Sequence, residues 1–64
     1  MNPELHRTLS HWDAFCHGVD ALIRTACELG CARKDVADYV AATRNLTRDH
    51  ADGVVNRYWP VFVT

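Results

Sequence analysis

Trp12-Asp13-Ala14-Phe15-Cys16-His17-Gly18-Val19-Asp20-Ala21-Leu22-Ile23-Arg24-Thr25-Ala26-Cys27-Glu28-Leu29-Gly30 is the stretch from which the fold is read. At 100° per residue, Trp12, Phe15, Cys16, Val19, Leu22, Ile23, Ala26, Cys27 and Leu29 fall in one apolar arc. Asp13, His17, Asp20, Arg24 and Glu28 fall on the opposite, solvated side. Asp20/Arg24 and Arg24/Glu28 stand at i,i+4, pairs worth about 0.2–0.5 kcal/mol each on a helix surface. Gly30 supplies the stop. The stretch reads as an amphipathic helix.

The pattern extends toward the amino terminus. Asn2 suits an N-cap and Pro3 the first helical position, where a missing N–H costs nothing. A second start signal stands at Ser10, with Asp13 three residues on in capping-box spacing. The expectation is one long helix over residues 3–29, and Ser10 is where it would break. A second stripe on that helix, Ala14, Gly18, Ala21 and Thr25, is small throughout and spaced 4, 3, 4. Such a stripe seats a second helix closely, and a mid-helix glycine, costing about 1 kcal/mol against alanine, wants a reason of this kind. The plain alternative is a permissive surface.

Toward the carboxyl terminus, residues 33–44 carry Val36, Tyr39, Val40 and Thr43 on one face. Asn45 suits a left-handed turn, and Leu46 reads as a buried hinge. Thr47 caps the next helix, with Asp49 near its positive end. That helix presents Ala51, Val54, Val55 and Tyr58 inward and stops near Pro60. The apolar tail Trp59-Pro60-Val61-Phe62-Val63-Thr64 folds back over the first helix or, through Trp59 and Phe62, anchors a partner. The expected fold is all-α: a long N-terminal helix with a shorter antiparallel helical hairpin on its apolar face, three helices in one domain over residues 1–64.

In that hairpin Val36 and Val40 precede Leu46-Thr47 at the turn, and Ala51 and Val54-Val55 follow it. On these residues, the stretch 35–59 resembles the opening helical hairpin of HU/IHF-type bacterial DNA-architectural proteins. The resemblance implies an αα-hairpin of the kind that builds a dimer body. It carries over no DNA binding and no functional residue, because the β-ribbon arms that grip DNA in that family have no counterpart here.

The chain has 64 residues, 48% hydrophobic and 23% charged, which places it among globular rather than disordered sequences. It is too short for a doubly wound sheet, a barrel or a separate substrate domain. A domain this small buries only about 60% of its unfolded surface, so a homodimer would relieve a shortage of interior. The formal net charge of −1 offers no global attraction to nucleic acid or an anionic membrane. Three cysteines cannot all pair within one chain, and no leader-like or membrane-length apolar run is present. A reducing, cytoplasmic setting without membrane contact is the expectation.

Three cysteines and four histidines invite a metal, and zinc needs four ligands in tetrahedral reach. Cys16 and Cys27 lie about 16 Å apart along a continuous helix, and Gly30 separates Cys27 from Cys31. Cys16 and Cys27 therefore read as small core residues, and neither metal nor cofactor is expected. Cys16 and its neighbour His17 point 100° apart, so no nucleophile–base pair forms and no enzyme is expected. Past Gly30 the chain holds five basic and four acidic residues, with Arg44 and Arg48 flanking the hairpin turn. A dimeric helix-turn-helix-like DNA-binding regulator using Arg44, Arg48 and Arg57 is the second reading. Asp49 and Asp52 beside that groove face weaken it, since affinity rests on phosphate neutralisation. The first reading is a small non-enzymatic interaction protein, self-associating through Ala14, Gly18, Ala21 and Thr25 and meeting a partner protein through Trp59 and Phe62.

Overall fold

The computed structural model describes residues 3–60, and the regular structure within them is all helical. Four helices follow one another: α1 (Pro3–Asp13), α2 (Val19–Glu28), α3 (Arg33–Arg44) and α4 (Arg48–Tyr58). The all-α expectation holds. The three-helix layout does not, because the long first helix is two helices, and the break falls at residues 14–18 rather than at Ser10.

The local chemistry of that break is visible in the backbone. Phe15 N donates to the Trp12 carbonyl at 3.0 Å and Cys16 N to the Asp13 carbonyl at 3.1 Å, a tightened last turn that closes α1. Gly18 is then extended, and its carbonyl accepts the first bond of α2, from Leu22 N at 3.1 Å. Ser10 lies inside α1 and starts nothing. The deeper reason is size. A straight helix over residues 3–29 would run about 40 Å, whereas the molecule measures 28 × 23 × 22 Å. Unbroken, its ends would have no body to pack on; broken, both halves reach the hairpin.

The other helix ends follow their residues. Gly30 takes the left-handed conformation (φ 84°) that ends α2. Asn45 does the same for α3 (φ 55°), and Leu46 N returns to the Ala41 carbonyl at 3.0 Å. The Thr47 hydroxyl accepts from His50 N at 3.2 Å and caps α4.

The core is assembled from Leu9 of α1, Leu22, Ile23 and Ala26 of α2, Val36, Ala37, Tyr39 and Val40 of α3, and Ala51 and Val55 of α4. Helices α3 and α4 form the most closely packed pair, and α2 lies against both. Of the apolar arc, Cys16, Val19 and Cys27 are half-buried at the edge of this core, and Trp12, Phe15 and Leu29 are 40, 68 and 44% exposed. Trp12 and Phe15 sit at the break, where the arc loses its common face; Leu29 follows the last turn of α2. Tyr58 and Thr43 are likewise exposed rather than buried. The pairs Asp20/Arg24 and Arg24/Glu28 do not close; ion pairs form instead from Arg44 to Asp13 and from Arg48 to Asp38 and Asp52.

Candidate interaction surface

The corner between α1 and α2 is the most exposed aromatic feature among the described residues. Its backbone is held by the two turn bonds above, and the Cys16 thiol also donates to the Trp12 carbonyl, at 3.3 Å. On this support three rings cluster. His11 meets Trp12 edge-on at 5.5 Å between centroids and Phe15 at 5.6 Å, and Trp12 and Phe15 are 6.5 Å apart. These spacings are those of mutually attracting aromatic rings. His11 also borders an open depression of about 730 Å³ on α1, lined by Pro3, His6, Arg7, Ser10 and His11. The corner and the depression therefore form one continuous surface.

Beneath the corner lies a polar clamp. Asp13, the last residue of α1, receives Arg44 Nη1 at 2.8 Å and Nη2 at 3.0 Å, a two-pronged pair, and Tyr39 Oη donates to it at 2.9 Å. Both charged side chains are less than a third exposed. The Arg44 hydrogen bonds hold the Asp13 carboxyl below its ordinary pKa, against an opposing push from burial. Burial, then the Asp13 carboxylate, raises the Tyr39 phenol. The Asp13 hydrogen bond raises the Arg44 guanidinium. His6 adds an edge contact to the Tyr39 ring at 5.0 Å. The clamp thus fixes the end of α1 to the end of α3.

The proposed self-association residues are split by the break. Ala21 and Thr25 share a face of α2, Gly18 precedes that helix, and Ala14 is exposed in the turn, so no single-helix stripe exists. Thr25 Oγ1 instead lies 3.9 Å from Cys16 Sγ. Trp59 is half-buried against the core, with the Arg33 guanidinium 5.3 Å from its ring centroid. Phe62 lies outside the described residues. Of the three arginines considered for nucleic acid, Arg44 is held by Asp13, and Arg48 pairs with Asp38 and, at 3.1 Å, with Asp52. Arg57 lies over the Tyr58 ring at 5.8 Å. The carboxylates facing Arg44 and Arg48 occupy the groups that phosphates would need.

The three cysteines are free and half-buried, and among the described residues no three His, Cys, Asp or Glu side chains gather as a metal site. Burial, and then the nearby Asp35 carboxylate, raises the Cys31 thiol, which disfavours the thiolate that reactivity needs. No described helix is long and apolar enough to cross a membrane.

Sequence reasoning missed both parts of this surface. Helical periodicity places Asp13 on the solvated side, because its partners stand 26 and 31 residues away, beyond any local pattern. It places Trp12 and Phe15 on the core side, because the apolar repeat passes through the break without interruption. Compared with family models, curated proteins and solved structures, the chain finds no match.

Proposed function

We propose that this chain is a small non-enzymatic interaction protein, a regulator or adaptor of the reducing cytoplasm that binds another protein and self-associates as a homodimer. The surface assigned to contact is the corner of His11, Trp12 and Phe15. One observation carries the reading: Phe15 is 68% exposed and Trp12 40% in a chain that has few large side chains to spare for its core. Aromatic residues on a supported surface are what protein interfaces use as anchors, because they bury much area with few rotatable bonds to order. The DNA-binding alternative has less support, since Arg44 and Arg48 are already paired.

The test compares immobilised wild type with F15S and W12S, using K34S as a surface control, for proteins captured from a cell extract. A species retained by wild type and K34S and lost with F15S and W12S is the expected result. Thermal stability should barely change in F15S, whose ring is mostly exposed, and should fall modestly in W12S, whose ring is more than half covered. Capture that is indifferent to both substitutions, together with a strictly monomeric chain, would overturn the reading.

A further inference from the structure

We infer that the dimer forms by exchange of α1 between two copies of this chain, with residues 14–18 straightening to join α1 and α2 into one helix. The inference rests on the self-association proposed above and names its geometry. Two independent features point to it.

The first is phase. On a single helix at 100° per residue, Leu5, Leu9, Trp12, Phe15, Cys16, Val19, Leu22, Ile23 and Ala26 share one apolar face. In the folded chain Leu9, Leu22, Ile23 and Ala26 are buried, whereas Trp12 and Phe15, at the bend, are exposed. A bend that merely joined two helices would not need to keep their apolar faces in register, nor to carry apolar rings on that register. The residues of the bend also permit a helix. Gly18 is the one poor helix former of the five, and its present conformation is extended rather than left-handed.

The second is the contact that α1 makes. Leu9 is the only fully buried residue of α1, and Leu5 is half-buried. Beside these and the His6 edge contact with Tyr39, the hold is the Asp13 clamp onto Arg44 and Tyr39 of α3, which is specific, complementary in charge and independent of which chain supplies α1. An α1 from a second copy satisfies the same groups in the same way, so what exchange gives up is the bend itself: the Phe15–Trp12 and Cys16–Asp13 turn bonds and the Cys16–Thr25 contact, in place of which helical bonds run through residues 14–18. A short connector beside a separable helix is the usual setting for such exchange. The two straightened connectors then run beside each other.

The test uses the full chain at micromolar to millimolar concentration, read by sedimentation and native mass spectrometry. G18A removes the helix-disfavouring glycine from both connectors of a dimer, and dimerisation should tighten by about tenfold or more. A methyl at that position meets only the movable Asp20 carboxylate, so the bent form tolerates it. H17P bars a continuous helix and should leave a monomer.

The decisive arm mixes D13R with R44D. Each variant alone sets like charges against each other in the clamp; exchange between the two restores an opposite-charge pair at both clamps, so a heterodimer should form in excess of random pairing. That arm stands even if H17P fails to fold. No heterodimer preference, or a dimer that a folded H17P leaves intact, overturns exchange while leaving protein binding through the corner in place. Wild type and G18A both monomeric at millimolar concentration overturns exchange and self-association together.

Discussion

Asp13 binds α1 to α3 through three hydrogen bonds from two residues, and its depressed pKa makes that contribution depend on pH. A carboxylate whose folded pKa lies below its unfolded value stabilises fully above the unfolded value, 3.8 here. The contribution is lost as pH falls through the folded value. The acid limb of a stability–pH profile should therefore be shallower in D13N, which has no carboxylate to protonate. At neutral pH D13N should cost about 1–3 kcal/mol, the range for a charged hydrogen bond lost at a partly buried site. Chemical denaturation of both proteins between neutral pH and about pH 3 reads both effects, and parallel acid limbs would remove Asp13 from the account. The residue was legible only as a polar position on a helix, since nothing near it in sequence announces Arg44 or Tyr39.

At the scale of elements, the hairpin α3–α4 was the most legible part of the chain because its signals are local. Asn45 tolerates the left-handed turn, Thr47 caps α4, and Val36, Val40, Ala51 and Val55 fall on facing sides. The Thr47 hydroxyl satisfies one of the α4 amides that have no intrahelical acceptor. T47A should cost about 1 kcal/mol and lower the melting temperature by about 4–8 °C, whereas T47S should stay near wild type. Thermal melts followed by circular dichroism decide it, and equal losses in the two variants would show that the hydroxyl is not the cause. The boundary between α1 and α2 was not legible, because periodicity reports which residues share a face and is blind to a bend that preserves the phase.

At the scale of the molecule, the two arginines that flank the hairpin turn are engaged by carboxylates of the protein itself. Arg44 meets Asp13 and joins α3 to α1, Arg48 meets Asp38 and joins α4 to α3, and Arg48 also pairs with Asp52 within α4. A chain with its helix-turn cations so engaged should pass through a heparin column in the low-salt wash. Retention that fell steeply between roughly 50 and 200 mM salt would instead reveal a phosphate-binding face and revive the DNA-binding reading.

Helical content, the hairpin with its turn and cap, and most of the core of α2, α3 and α4 follow from the amino-acid sequence alone. Propensity, capping and periodicity act within a few residues, and the sequence displays them directly. The division of the first helix, the Asp13 clamp and the exposure of Trp12 and Phe15 were decided by tertiary structure. A straight helix cannot share one small core along its whole length, so the chain bends where the Asp13 partners wait on α3, and the rings at the bend are left outside.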